Sequence, residues 1–286
     1  MEATQIDAGE FRAGQRRDWD KAAQGWQTWQ EFIYGRTAPV SERLVELAGI
    51  KPGDKVLDVA AGAGEPSLTA ARVVGPEGSV IATDISTNML TAGRERAAAA
   101  GIDNVEFVES DASALDFPPE SFDAALSRWG IIFEPDGEAT AARVRGFLKP
   151  GAKMAISSWG PPERSPMLSI PMMTAMQRLN APPPPPGTPG PLSRPTPEAI
   201  GSILVGGGFS DIEVEETEVS FEWESADEFV AMVKDTVQRL VTLIAKHAPD
   251  DPDRAWEAIL GAVKERASDD GTVTFSNLVL LALGRA

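Results

Sequence analysis

The chain has 286 residues, 42% of them hydrophobic and 24% charged, with no cysteine, a single histidine and a formal net charge of −17. Without cysteine there are no disulfides, thiolate metal sites or cysteine nucleophiles, and His247 alone leaves a transition metal without its usual imidazole and thiolate ligands. The acidic balance, with no Lys/Arg cluster, argues against a sequence-independent grip on nucleic acid and against docking on anionic lipid.

The elements follow in chain order. "MEATQIDAGEFRAG" has neither a basic start nor an apolar core, so it does not read as a signal peptide, and no later apolar run reaches bilayer length. The expected location is cytoplasmic. Trp19, Trp26 and Trp29 follow at helical spacing, with Phe32 and Tyr34 behind them. Two readings are open: the apolar stripe of an N-terminal helix pair, or a lid over a site. "SERLVELAGIKPGD" reads as a helix with Ser41 as N-cap.

From Lys55 onward strands and helices alternate. "KVLDVA", "SVIATD", "VEFVESD", "FDAALSRWGIIF" and "KMAISSW" read as strands, separated by "SLTAARVV", "STNMLTAGRERAAAAG" and "EATAARVRGFLKPG" as helices. This rhythm predicts βαβ units and a mostly parallel sheet buried on both faces. "MLSIPMMTAMQRL" then reads as a helix despite Pro171, and "NAPPPPPGTPGPLSRPTP" as a surface polyproline excursion. "PEAIGSILVGGGF" returns to helix. "DIEVEETEVSFEW" reads as an exposed strand whose apolar parity slips from Ile212 and Val214 to Val219, Phe221 and Trp223, which predicts a bulge near Glu215–Thr217. Helical stretches from about Ala226 to Lys246 and Arg254 to Arg266 precede a last strand, "TVTFSNLVLLALG". His247 falls at a helix end running into a polar loop, where a solvated histidine facing the helix dipole is ordinary.

The stretch "VLDVAAGAGEPSL" carries the chemistry. A strand ends on Asp58, and a turn of small residues, Ala60 to Gly64, opens a helix. Such a turn lets a ligand lie against bare backbone beside the free N–H groups of the helix start. A dinucleotide site would want a third glycine where Ser67 stands, and Asp58 would repel a pyrophosphate. A nicotinamide-dependent oxidoreductase is therefore a rival that the motif disfavours. Asp84, at the next strand end, lies about twenty residues past the glycines, the distance at which an acid takes ribose hydroxyls. Asp111 follows the third strand. An adenosine with a cationic amino-acid tail and no phosphate suits all three acids, and S-adenosyl-L-methionine is that ligand.

With "VLDVAAGAG", "VIATDIS", "VEFVESDASALDFPPESFDAALSRWG" and "RVRGFLKPGAKMAISSW" in order, the stretch from about Lys51 to Trp159 resembles the class I S-adenosylmethionine-dependent methyltransferases, in their small-molecule branch. The resemblance implies an α/β fold: a doubly wound, seven-stranded, mostly parallel sheet with the last strand antiparallel, helices on both faces and an added helical cap. It implies that Asp58 and the backbone of Ala60, Gly62 and Gly64 hold the methionine end. By the same resemblance Asp84 takes the ribose, Ile85 and Met89 lie against the adenine, and Asp111 and Ala112 read its edge. Ser127, Arg128 and Trp129 would face the methyl group. The family often has glycine where Ala60 stands.

The implied organisation is an N-terminal lid over residues 1–40, a cofactor-binding core over 41–160, a helical and proline-rich insertion over 161–208, and C-terminal core strands over 209–286 carrying a cap insertion at 225–268. The implied activity is methyl transfer to an O, N or C atom of a small, largely apolar or aromatic metabolite. Quinone-ring carbon methylation competes within the enzyme class, and a non-catalytic adenosyl-binding module competes outside it. No histidine lies near the fourth strand's end, so the catalytic candidates are Tyr34, Arg128 and Trp129, with Tyr34, Glu134 or Asp136 as a base if one is needed. Trp26, Trp29 and Trp159, with Met167, Met172, Met173 and Met176, are expected along the substrate pocket. No metal, nucleic acid or membrane insertion is expected, and a homo-oligomer stays open.

Overall fold

The computed structural model describes residues 7–286; the first six residues of the expected lid lie outside that range. Helix α1 (Ala8–Thr28) is opened by the Asp7 carboxylate, which accepts from the Glu10 N–H, and runs through Trp29 into α2 (Gln30–Ala48). Then β1 (Lys55–Val59), α3 (Ser67–Val74), β2 (Ser79–Asp84), α4 (Thr87–Ala99), β3 (Val105–Glu109), β4 (Phe122–Arg128), α5 (Gly137–Phe147) and β5 (Leu148–Trp159) alternate. The remainder is α6 (Pro166–Leu179), α7 (Pro197–Gly206), β6 (Ser210–Trp223), α8 (Ala226–Thr236), α9 (Gln238–His247), α10 (Asp253–Lys264) and β7 (Val273–Arg285).

The seven strands form one sheet in the order β3-β2-β1-β4-β5-β7-β6. The pairings among β1 to β5 are parallel, and β7 runs antiparallel to both β5 and β6. The sheet is thus mixed, with the final strand reversed. Helices cover both faces: Val56, Ala124, Leu126 and Ala155 share one apolar cluster with α2 and α3, while Leu57, Val59, Ala125 and Ile156 share another with α5 and α7. No helix among the described residues is long and apolar enough to cross a membrane.

Several expectations are corrected. Ser41 is no N-cap: α2 is continuous from Gln30 through Pro39, and Ser41 is fully buried mid-helix. The helix therefore crosses the boundary expected at residue 40, and Ile33, Tyr34 and Val40 sit in the same core cluster as Leu44. The third strand stops at Glu109, and the fourth at Arg128, where Trp129 adopts a positive φ of 54° that ends the extended chain; Ile131–Phe133 form a 3-10 turn instead. The expected bulge at Glu215–Thr217 does not form. Those residues pair in register with Leu281 to Val279, and the irregularity lies between Ser210 and Glu213, where Asp211 has a φ of 50°. The parity slip has another cause. Ile212 and Val214 pack on the α7 side, whereas Val219, Phe221 and Trp223 pack on the opposite face, so one straight edge strand contributes to two cores. The stretch from Ala226 to Lys246 breaks at Val237 into α8 and α9.

Candidate active site

The register fixes which side chains meet. Asp58 stands opposite Ala82 on β2 and Leu126 on β4, so Asp84 and Arg128, each two residues further along, project from the same sheet face. That face lies under α2, α3 and α4. The carboxyl ends of β1, β2 and β4 thereby bring two acids and one guanidinium together, where open α/β sheets place ligands.

Asp58 is fully buried. One carboxylate oxygen accepts from the Ser67 hydroxyl, and the other, Oδ1, has no partner. Burial pushes the carboxyl up to about 7, partly opposed by the Ser67 hydrogen bond and the field of Arg128. Ser67, whose side chain spoils a dinucleotide fingerprint, thus has a positive role in this turn. Arg128 is also buried; its Nη1 donates to Thr37 Oγ1 at 2.9 Å and to Ser41 Oγ at 3.0 Å, both on α2, while its Nε–H has no partner. No carboxylate reaches it within 4.0 Å among the described ion pairs, and burial pulls its pKa down. One unpartnered acceptor and one unpartnered charged donor therefore remain at neighbouring strand tips.

The turn itself is held by Ala61 N–H donating to Thr83 O at 2.8 Å and Gly64 N–H to Ala61 O at 3.0 Å. Gly62 N–H donates to Asp84 Oδ2 at 2.8 Å, and Ser86 N–H donates to Asp84 Oδ1 at 2.8 Å. The N–H groups of Gly62 and Gly64 are thus already engaged, and what these residues offer a ligand is bare backbone. Burial lifts Asp84 to about 6 against those backbone hydrogen bonds. Ala60 takes a φ of 58°, a conformation that suits glycine, and a Cβ added to Gly130 would sit 2.6 Å from the Ala60 methyl. The β4 tip is thus pressed onto the turn.

The other expected residues fall into three groups. Ile85 is half-buried, Met89 is buried in the α4 first turn, and Asp111 caps the 3-10 turn that holds Ala112 by accepting from Ser113 N–H at 2.8 Å. Ser127 is corrected: it is fully buried on the opposite sheet face, donating to Val59 O at 2.8 Å and accepting from Ile131 N–H at 2.9 Å. Tyr34 lies beneath the guanidinium of Arg96, 3.9 Å above its ring, with Arg128 5.4 Å away, and burial pushes its phenol up. Burial disfavours its phenolate, which weighs against a role as base. Asp136 is occupied as the N-cap of α5. Glu134, lifted by burial to about 6, faces Arg12 and Asp111 on the β3 side.

Trp129 and Trp159 stack in parallel, with centroids 4.3 Å apart and planes within 1°. Trp26 lies 6.4 Å from Tyr34, and its indole N–H donates to Thr236 O. Trp29 is corrected: its N–H donates to Asp235 Oδ2 at 2.9 Å, pinning the joint between α1 and α2 to the end of α8 rather than facing the Trp129–Trp159 pair. Met167 and Met172 pack on the core, but Met173 is 61% exposed and lines no interior.

Residues outside the expected set complete the site. Asp20 of α1 accepts from Ser86 Oγ at 2.6 Å, Arg12 reaches Glu134 at 3.5 Å and Asp111 at 3.7 Å, Arg16 pairs with Glu109, and Trp19 packs edge-on against Phe133. Arg12, Arg16 and Asp20 recur at i, i+4, i+8, so one helical face roofs the ends of β2 and β3. That spacing was visible in the sequence; the partners were not.

Residues 38–172 match the model of the ubiE/COQ5 methyltransferase family. A ubiquinone/menaquinone biosynthesis C-methyltransferase of Teredinibacter turnerae is 36% identical over 122 residues, covering 42% of this chain and 49% of that protein. An uncharacterized protein of Mycobacterium tuberculosis is 39% identical over 122 residues, 43% of each chain. The chain spans about half the length of the curated relatives it matches. Among solved structures, phosphoethanolamine N-methyltransferase 2 of Haemonchus contortus, in complex with S-adenosyl-L-methionine, superposes with a TM-score of 0.56 at 24% identity over 96% of this chain and 59% of that one. The cyclase SpnF superposes at 0.52 and 15% identity, over 92% and 94%. At such identities the likeness is one of fold.

Proposed function

We propose that the chain, whose residues 38–172 match the ubiE/COQ5 methyltransferase model, is a class I S-adenosylmethionine-dependent methyltransferase that moves a methyl group from S-adenosyl-L-methionine to a small, largely apolar or aromatic metabolite. The observation that carries this reading is the pair of unsatisfied charges: Asp58 Oδ1 and Arg128 Nε–H, buried on one sheet face beside a turn of bare backbone. A buried polar group without a partner is costly, so the two are explained together by a ligand that bears both an ammonium and a carboxylate. The amino-acid end of the cofactor is such a zwitterion. The role carried for Arg128 thus shifts from catalysis to holding the donor.

Asp84 retains lone pairs beyond its two backbone hydrogen bonds for ribose hydroxyls, and Ile85, Met89, Asp111 and Ala112 bound the adenine region on the β2 and β3 side. The bound donor supplies an electrophilic methyl on a sulfonium. The protein's part is positioning and exclusion of water: α1 closes the adenosyl side, while Tyr34, Trp129 and Trp159 wall the transfer end. On this reading Tyr34 walls the site and is not the base, so Tyr34→Phe should leave the pH profile of turnover unchanged.

The names of the relatives favour quinone-ring carbon methylation as the second reading, and the aromatic walls suit a flat acceptor. The fold of SpnF accompanies a different named chemistry, so fold alone does not decide. Calorimetry with S-adenosylhomocysteine tests the cofactor reading. We expect binding that weakens at least about tenfold in Asp58→Asn, the loss of one charge-assisted hydrogen bond. No heat with the unaltered protein would sink it.

A further inference from the structure

Among the described residues, the buried side-chain polar atoms without a partner are Asp58 Oδ1, Ser121 Oγ, Arg128 Nε, Trp129 Nε1, Thr140 Oγ1 and Trp223 Nε1. The donor zwitterion accounts for the first and third. Ser121 and Thr140 carry rotatable hydroxyls remote from the strand tips at issue. The two indoles differ in kind. Trp223, 1% exposed, is enclosed by Phe221, Phe229 and Phe275 at the end of the edge strand β6, away from the tips of β1, β2 and β4. The aromatic ring paired with Trp129 among the described residues is the parallel Trp159, and a parallel neighbour offers no π face to an N–H at the rim. Arg128 lies 5.0 Å from the Trp129 ring centroid and is itself a donor. The Trp129 N–H is therefore a buried donor facing neither oxygen nor π cloud.

Its backbone is held as firmly as its ring. Trp129 N–H donates to Ser157 Oγ at 3.0 Å, the residue takes a φ of 54°, and the following Gly130 abuts Ala60 of the ligand turn. The indole thus stands one residue from the bend that seats the donor. We propose that Trp129 reads the methyl acceptor: its ring stacks on a planar acceptor or on the wall that holds it, and its N–H binds an oxygen of the acceptor. The acceptor class is then a flat molecule with a hydroxyl, oxyanion or carbonyl oxygen near the atom to be methylated. Amines, which arrive at neutral pH as donors or as weak aromatic acceptors, are disfavoured. This rests on the methyl-transfer reading and narrows it.

The test uses three isosteric probes, p-cresol, p-toluidine and p-xylene, which differ only in OH, NH2 and CH3. They are titrated into the ¹⁵N-labelled full chain, with and without saturating S-adenosylhomocysteine, following the indole N–H resonances. The sequence has seven tryptophans, and Trp129→Phe identifies the resonance at issue. The proposal expects p-cresol to move the Trp129 indole proton downfield and to bind about tenfold tighter than p-xylene, the effect of satisfying one buried donor. p-Toluidine should behave like p-xylene. In Trp129→Phe the preference for p-cresol should vanish while S-adenosylhomocysteine still binds. Equal binding of the three probes, binding of none, or a silent Trp129 resonance would overturn it. All three results come from the unaltered protein, so they hold even if the variant does not fold and its resonance is assigned by triple-resonance experiments. Failure of S-adenosylhomocysteine to bind would be seen separately and would strike the cofactor reading instead.

Discussion

At the scale of the residue, the turn after β1 shows how one small substitution propagates. Ala60 occupies a left-handed conformation, which costs an L-residue with a side chain roughly 1–2 kcal/mol relative to glycine's ease there. Glycine's greater freedom in the unfolded chain takes back about 0.5–1 kcal/mol. Ala60→Gly should therefore be neutral to mildly stabilising, by at most about 1.5 kcal/mol in urea unfolding. Gly130→Ala is the opposite case. Its Cβ would lie 2.6 Å from the Ala60 methyl, 2.8 Å from Ser127 Oγ and 2.9 Å from Val59 O, so the β4 tip must lift off the turn. Overpacking of this kind costs about 1–3 kcal/mol, and loss of S-adenosylhomocysteine binding should accompany it. The double variant should recover only part, because the Ser127 and Val59 contacts remain. Ser67→Ala tests the neighbouring carboxylate. It removes a hydrogen bond to the charged form of Asp58, so the carboxyl should rise further and affinity at pH 7 should fall several-fold, with smaller loss at pH 8.5.

At the scale of the element, α1 is unevenly fastened. Its first half is held mainly by half-exposed ion pairs and hydrogen bonds from Arg12, Arg16 and Asp20, contacts worth about 0–1 kcal/mol each. Its second half buries Ala22, Ala23 and Gly25, and Trp26 and Trp29 donate to the end of α8. At Gly25 any Cβ would fall 2.1 Å from Asp235 O. Gly25→Ala should then cost about 1–3 kcal/mol by forcing α1 away from α8. Hydrogen exchange should run faster over the first half than over the second, and slow there on adding S-adenosylhomocysteine. Uniform protection along the helix would contradict this. Deleting everything before Ser41 is a different experiment from removing a lid, since it would take Ile33, Tyr34 and Val40 out of the core.

The same contrast sets what the sequence could reveal. Strands β1 to β5 announced themselves because period, glycine stops and apolar runs are local. The three acids at strand tips were legible for that reason too. Ser41 misled because a serine before an amphipathic run has the look of a cap, and only the packing of Tyr34 and Thr37 shows the helix already running. The β6 parity slip looked like a bulge because a sequence cannot say that the two halves of one strand are covered on different faces. Partners remote in the chain, such as Asp20 with Ser86 or Ser67 with Asp58, depend on the assembled sheet and had no local signal.

At the scale of the whole molecule, the two buried acids tie stability to pH and to the ligand. Asp58 titrates near 7 and Asp84 near 6 in the folded chain, both raised by burial from 3.8. Between about pH 4 and 7 the folded protein therefore binds more protons than the unfolded chain. Stability linked to these groups is present at the acid end of that window and is lost as pH rises through the folded values. The net charge of −17 adds self-repulsion in the same direction. A ligand with an ammonium needs Asp58 ionised, so its affinity should climb as pH passes about 7. Two slopes of opposite sign result: the melting temperature of the free protein should fall from pH 5.5 to pH 8, while the increment given by saturating S-adenosylhomocysteine should grow over the same range. Asp58→Asn separates the site from the general charge. It should flatten part of the first slope and remove the pH dependence of the second, leaving the share due to Asp84, Glu134 and self-repulsion. Differential scanning calorimetry at pH 5.5, 7 and 8 on both proteins decides the matter, and a ligand increment in the unaltered protein that shrinks with rising pH would rule out Asp58 as the counter-charge.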